Sequence, residues 1–283
     1  MGYGLWVTGY GLKVMKGIVL HSVVPVRAEA REQAEQTTQL LFGELVESQE
    51  SRAESGNWVK VKSLADGQKG WCDRKMITPL SSAEWKQVSA QERTARVCLP
   101  LTYAMSENNG QTIPLSLGTI LPDYKDGRFS ILGVGFRIDA NAVAVKPMEM
   151  NEQNLLSVCR FLLNVPYLWG GRNAMGMDCS GFVQQVMSLF GRAMKRNASE
   201  QATQGRKVNY NAIQAGDLCF FNHGEGTRIS HVGIAIDRER IIHCSGRVKV
   251  EQLTKEGIVS AEAGGLTHNL LFPRRLEAAR TAQ

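Results

Sequence analysis

A chain of 283 residues with 43% apolar content is long enough for two or three domains, each with a core of its own. Its net charge of +6 comes from scattered Lys and Arg with no run longer than two, so no nucleic-acid footprint is expected. No window approaches the roughly 18 consecutive apolar residues of a membrane-spanning helix. Cysteines at 72, 98, 159, 179, 219 and 244 form no CxxC and no compact spacing. That usage suits a reducing compartment, and the expected location is cytoplasmic.

The first residues, Gly2 to Leu20, are rich in Gly and Tyr, carry Lys13 and Lys16, and lack an apolar core, which makes a poor signal peptide. Met15 would serve equally well as a start, so residues 1–14 are set aside as an extension. Over 15–80 the signals are β. The runs Val23–Val26, Leu40–Val46, Trp58–Val61 and Gly70–Cys72 are divided by polar, Gly-rich turns, as in a small barrel. A fainter copy follows within 81–147. Ser116–Leu121 repeats Phe42–Val46, Gly127–Ile131 stands for Asn57–Val61, and Gly135–Ile138 echoes Gly70–Asp73. The repeat argues for two all-β domains in tandem, joined by a polar linker over 81–96. Both resemble bacterial SH3-like domains.

Composition changes at Pro147, and residues 148–275 read as an α+β domain followed by a charged tail, 276–283. Asn151 caps a helix expected to run through Leu163, and Pro166 prevents its continuation. After Met177-Asp178-Cys179-Ser180-Gly181, apolar residues at Phe182, Val183, Val186, Met187 and Phe190 give helical spacing with one buried face. Gly191 ends that helix in a left-handed cap. A loop and helix start follow at Asn197–Gln201, with Ser199 as the cap. Strands are expected at Leu218–Phe221, His231–Ile236, Arg240–Cys244 and Asn269–Phe272.

Cys179 therefore stands at the first turn of a helix whose body is buried. Unpaired N–H groups and the helix dipole there favour the thiolate, which is the nucleophile, and can hold a developing oxyanion. The bland alternative is a small buried hydrophobe. Two of the five histidines, His231 and His243, open and close an apparent hairpin downstream. They are 12 residues apart, so they share a face only if the loop near Arg238-Glu239 has an odd count or the ladder carries a bulge. With both on one face, thiol, imidazole and an orienting group complete a nucleophilic set.

Tyr167-Leu168-Trp169-Gly170-Gly171, Asp178-Cys179-Ser180-Gly181-Phe182, Gly216-Asp217-Leu218, His231-Val232-Gly233-Ile234 and Ile242-His243 together resemble the NlpC/P60 family of bacterial cell-wall cysteine peptidases. The resemblance implies a papain-like core, with Cys179 as nucleophile, His231 as base, His243 as the orienting member and Tyr167 at the oxyanion hole. It implies a substrate border formed by Trp169, Asp178, Ser180, Asn197, Ala198, Ser199 and Ser230. With the tandem β domains in front, the chain is similar to γ-D-glutamyl-L-diamino acid endopeptidases that process muropeptides in wall turnover or recycling. There the first SH3-like domain walls the cleft and selects a free N-terminal L-Ala. One departure is Asn197, where the family pattern carries an aspartate for the substrate ammonium. The implied partner is a peptidoglycan-derived peptide, with no cofactor and no metal. Three other readings stand beside this one: an acyltransferase on the same thioester-forming core, a non-catalytic wall-peptide-binding protein, and a metal site of Cys179, His231, His243 and Cys244. The last lacks any HExxH-type spacing.

Overall fold

The computed structural model describes residues 14–49, 56–224 and 226–277. Thirteen of the 14 residues set aside as an extension lie outside the described residues, but Val14 opens the first strand, Val14–Ile18. The first unit is a seven-stranded sheet ending at Thr78–Leu80, with every neighbouring pair antiparallel. Trp58–Ser63 behaves as its alternation requires, burying Val59 and Val61 and exposing Lys60 and Lys62. The run Leu40–Val46 is not one strand. Gly43 takes a φ of +79°, a turn brings Glu44 N–H to the Leu41 carbonyl at 3.1 Å, and the chain leaves as Leu45–Gln49.

That turn recurs in the second unit, residues 96–144. Gly118 has φ +84°, and Thr119 N–H meets the Ser116 carbonyl at 3.0 Å. Gly43 and Gly118 donate to equivalent carbonyls, Val19 at 2.8 Å and Val97 at 2.9 Å. Further along the correspondence slips by one residue. Asp73 and Asp139 each cap a short 3-10 turn, so Asp139, not Ile138, matches Asp73.

Residues 81–96 are more than a polar linker. Ser81 and Glu84 form a capping box, and helix α1 (Ser82–Ala90) buries Val88 completely. Two large apolar residues, Trp85 and Val88, on a short and otherwise polar or small-residue helix give little periodic signal, which is why the sequence reads as a connector. The two β units then share one core. Phe42 packs edge-on against Phe129 and Phe136 at centroid distances of 6.2 and 5.7 Å, with Ile18 and Val97 in the same cluster.

The third unit is α+β, as expected. Helix α2 (Glu152–Cys159) is capped by Asn151, whose side chain accepts from Asn154 N–H at 2.8 Å. It stops four residues earlier than expected, because tight turns carry the chain to Asn164 at φ +68°. Those turns bury Leu162 and bring Val165 into pairing with Val248. Helix α3 (Cys179–Leu189) is buried along nearly its whole length. Each large apolar side chain so buried contributes about 1.5–3 kcal/mol. Its end is the expected left-handed cap, with Gly191 at φ +68° and Arg192 N–H on the Met187 carbonyl at 3.0 Å. Helix α4 (Ala198–Gln201) starts two residues earlier than a Ser199 cap would set, with Asn197 in the cap position. Against α3 lies a closed ring of six strands: Leu218–Asn222, His231–Ala235, Arg240–Ser245, Arg247–Leu253, Gly257–Ser260 and Gly265–Arg275. Among the described residues, no helix is long and apolar enough to cross a membrane.

Candidate active site

The histidine geometry follows from one loop. The strands from His231 and Arg240 pair Gly233 with His243 and Ala235 with Ile241, and Ile236 N–H meets the Arg240 carbonyl at 2.9 Å. Asp237, Arg238 and Glu239 are left as a three-residue loop, an odd count, so His231 and His243 share a face. Gly233 makes that approach feasible, since a Cβ there would sit 2.9 Å from the His243 Cβ. His231 Nε2 and His243 Nδ1 are 2.8 Å apart, and both residues are buried. The neighbouring strand then adds a third member. Glu251 Oε2 lies 2.8 Å from His243 Nε2, while Lys249 Nζ lies 3.0 Å from Glu251 Oε1.

This chain of contacts determines the protons. Burial alone would raise the Glu251 carboxyl, but hydrogen bonds from His243, Ser260 and Lys249 outweigh it and hold the group at about 2. An ionised carboxylate only accepts, so His243 Nε2 carries the proton it shares with Glu251. His243 Nδ1 is therefore an acceptor, and His231 Nε2 must donate to it. The one lone pair left on the His231 ring is at Nδ1. Burial and the neighbouring histidines push His231 well below the ordinary value of 6.5, so the ring is neutral. His268 lies against it, tilted by 39°, at a centroid distance of 4.4 Å.

Cys179 opens α3, and the Val232 and Ser180 N–H groups favour its thiolate. They do not prevail. Burial first, and the adjacent Asp178 carboxylate second, push the thiol up to about 12, the reverse of the direction expected from helix position alone. Cys179 as a whole is 8% exposed and packs in the cluster between α3 and the barrel. Cys98, half-buried, is the more accessible thiol. Tyr167 is half-buried beside Met177 and close enough for Cys179 to raise its phenol, after burial, which is the larger cause.

Two of the expected border residues are turned inward. Asp178 accepts from Gly181 N–H at 2.6 Å and Gly170 N–H at 2.9 Å, and receives Arg196 at 2.5 and 3.0 Å. Ser180 Oγ bonds to Asp178 and takes Arg196 Nη1 at 2.9 Å. Every acceptor of the pair is thus used inside the protein, with Arg196 only 1% exposed. Asn197 is exposed, but its amide donates to Glu200 Oε2 at 2.9 Å and to Gln68 Oε1 at 3.4 Å. An aspartate there would face Glu200. Ala198 packs on the core, while Ser199 and Ser230 are exposed.

Trp169 is 60% exposed, and its partners are in the first β unit: Nε1 donates to Glu35 at 2.7 Å, and its carbonyl accepts Gln36 Nε2 at 3.0 Å. The strand Gln36–Leu41 docks against the whole segment before Cys179. Gln39 Oε1 accepts Arg172 N–H and Asn173 Nδ2, both at 2.8 Å. Thr38 Oγ1 accepts Arg196 Nε at 2.8 Å, and Glu44 takes Arg172 at 2.9 and 3.2 Å. Gly170, at φ +72°, permits the contact, because a Cβ would lie 2.4 Å from the Gln36 carbonyl oxygen. Replacing Arg196 by Met leaves Asp178 buried without its counter-charge and severs the Thr38 bond. The expected loss is about 3–5 kcal/mol, read as a lower urea midpoint, and an unchanged midpoint would show the pair to be dispensable.

Sequence reading had missed Glu251, although a signal existed. Gly246, at φ +70°, turns the strand from Arg240 directly into the strand from Arg247, so residues 243, 249 and 251 share parity. No such signal marks Thr38, Gln39 and Glu44, which meet the site only through docking.

Residues 164–263 match the model of the NlpC/P60 family, and residues 22–78 match that of the bacterial SH3 domain. The chain is 32% identical over 219 residues to the gamma-D-glutamyl-L-lysine dipeptidyl-peptidase of Bacillus subtilis, covering 73% of this chain and 71% of that protein. A protein of the same name from Bacillus cereus is 25% identical over 254 residues, covering 80% and 73%. The crystal structure of an NlpC/P60 family protein from Bacillus cereus superposes with a TM-score of 0.77 at 19% identity, over 92% of this chain and 99% of that one.

Proposed function

The chain belongs to the NlpC/P60 family of cysteine peptidases, and on that premise we propose that it hydrolyses the γ-D-glutamyl–diamino acid bond of peptidoglycan-derived peptides, with Cys179 as nucleophile. The observation that carries this reading is the buried chain His231–His243–Glu251, beside a cysteine at a helix start. Cys179 Sγ attacks the γ-carbonyl carbon as its proton passes to His231 Nδ1, the position that the chain leaves unprotonated. Donors around the sulfur, among them the Ser180 N–H and the Tyr167 hydroxyl, face the developing oxyanion. The C–N bond breaks as the imidazolium returns the proton to the leaving amine. Water, deprotonated by the same nitrogen, then cleaves the thioester. His243 orients His231, and Glu251 orients His243.

The substrate reading is supported by the names of the two relatives, which specify a γ-D-glutamyl-L-lysine unit and a dipeptidyl-peptidase activity. The docked first unit suits it, since Glu35 and Trp169 form a ledge next to the segment that leads to Cys179. Residues 96–144, with the Gly118 turn and the Asp139 cap, we assign as a second SH3-like unit. Six free cysteines suit work on soluble wall fragments in a reducing cytoplasm. The test is incubation with L-Ala-γ-D-Glu-diamino acid peptides, with and without an N-terminal muramyl block, and identification of products by mass. Release of L-Ala-D-Glu from the unblocked peptide is expected. Cleavage elsewhere, or of the blocked peptide only, would refute the assignment.

The pH profile has a defined sign. Protonating His231 removes the base, so activity is lost as pH falls through its pKa, and burial has moved that pKa well below 6.5. The thiol ionises only near 12, so no second limb falls in the ordinary range. The expected kcat/KM is flat from about pH 6.5 to about pH 9 and falls only in acid. A second limb, with activity lost as pH rises above neutrality, would mean that the two groups form an ion pair at rest.

A further inference from the structure

A cavity of about 1020 Å³ lies where the three units meet, on the side of α3 that carries Gln184, Gln185 and Ser188. Its charges do not balance. Five cations, Arg93, Arg96, Lys146, Arg172 and Arg192, line it against three carboxylates, Glu44, Asp66 and Glu149. Two of those carboxylates are already engaged. Glu44 takes two nitrogens of Arg172, and Asp66 accepts Gln184 Nε2 at 3.0 Å and Gln68 N–H at 2.9 Å. Glu149 is exposed.

Among the described residues, the guanidiniums of Arg93 and Arg96 hydrogen-bond only to carbonyls. Arg93 Nη2 donates to Gly43, and Arg96 Nη1 donates to Gly118 at 3.2 Å. Arg93 Nη1 and Arg172 Nε are buried and reach no acceptor among the described residues. Burial pulls both Arg93 and Arg96 below the ordinary arginine value. The Glu44 charge opposes this at both, and Asp123 at Arg93, without cancelling it, while Arg93 and Arg172 add to the lowering at Arg96. Crowded, partly desolvated cations short of counter-charge are costly, and an anion among them offsets that cost. The rest of the lining includes Met148, Met150 and Leu189, which suits a ligand with some apolar body.

We propose that this cavity binds a small organic polyanion, of carboxylate or phosphate chemistry, held by Arg93, Arg96 and Lys146. Such a ligand would join the first β unit, the segment entering the second, and α3, several residues beyond Cys179. It would be a site separate from the peptidase cleft.

The test is calorimetric titration of the whole protein with citrate, and separately with pyrophosphate, at matched chloride ionic strength. Saturable binding of at least one is expected, and which one binds distinguishes carboxylate from phosphate. Arg96→Gln should weaken it tenfold or more, the effect of one lost charge-assisted contact. Lys146→Gln should weaken it about threefold, and because Lys146 is exposed this variant is decisive even if Arg96→Gln folds poorly. No saturable binding of either anion, or equal binding by wild type and Lys146→Gln, would overturn the proposal.

Discussion

Replacing Cys179 by Ala is expected to lower kcat/KM on unblocked L-Ala-γ-D-Glu-diamino acid peptides by about 10⁴–10⁶-fold while leaving the fold intact. The magnitude follows from removing a nucleophile that acts as a unit with its base. The fold should survive because the first turn of α3 does not depend on the thiol. Asp178 caps the helix through Gly181 N–H, and its body is held by Phe182, Val183, Val186 and Met187. Ala also has a good helix propensity, and deleting one sulfur at the edge of the core leaves only a small void. Circular dichroism and the urea midpoint check the fold, and product masses check the chemistry. Residual turnover within tenfold of wild type would put the nucleophile elsewhere. A fully folded but inert variant would also exclude the reading of the chain as a non-catalytic binding protein, provided that the wild type turns over.

Glu251→Gln is expected to cost about 10²–10⁴-fold in kcat, more than its distance from the sulfur suggests. A carboxylate can only accept from His243 Nε2, whereas a carboxamide presents one acceptor and one donor. Lys249 Nζ, now 3.0 Å from Glu251 Oε1, would take the amide oxygen and turn the NH₂ toward His243. His243 Nε2 then becomes the acceptor, its proton moves to Nδ1, and that nitrogen donates to His231 Nε2. The His231 proton is driven onto Nδ1, so the ring offers no lone pair to the thiol. The geometry would be nearly unchanged and the tautomer wrong, a change that costs a serine peptidase about 10⁴ in kcat. KM should move little, because Glu251 does not meet substrate. Glu251→Ala removes the bond without reversing it and should retain more activity than Glu251→Gln. The opposite ranking, or equal losses in kcat and KM, would mean that Glu251 only supports the barrel.

The correspondence between sequence and structure is uneven for physical reasons. Helix α3 was legible because one amphipathic stretch and a glycine stop are local signals, whereas Asp178, expected at the substrate border, turned out to be its cap. The β character of the first unit was legible from alternation, but the run Leu40–Val46 hid the Gly43 turn even though the repeat matches it to Gly118. The helix over 82–90 was not, since it is fastened by a capping box and one buried valine.

At the site the division is clearer still. The sequence by itself determined that a cysteine opens a buried helix and that two histidines flank a hairpin, because spacing along one element is a local property. It also stated the condition for those histidines to meet, an odd loop, without being able to count that loop. Only the tertiary structure decided the rest. Strand pairing made the loop three residues long and brought Glu251 into line behind His243. Arg196, folded back from beyond α3, occupied Asp178 and Ser180 inside the protein, and docking of Gln36–Leu41 onto residues 169–173 fastened Arg196 through Thr38. Packing also reversed the sign at Cys179, because a helix start favours the thiolate only as far as burial allows, and here burial and the Asp178 charge outweigh it.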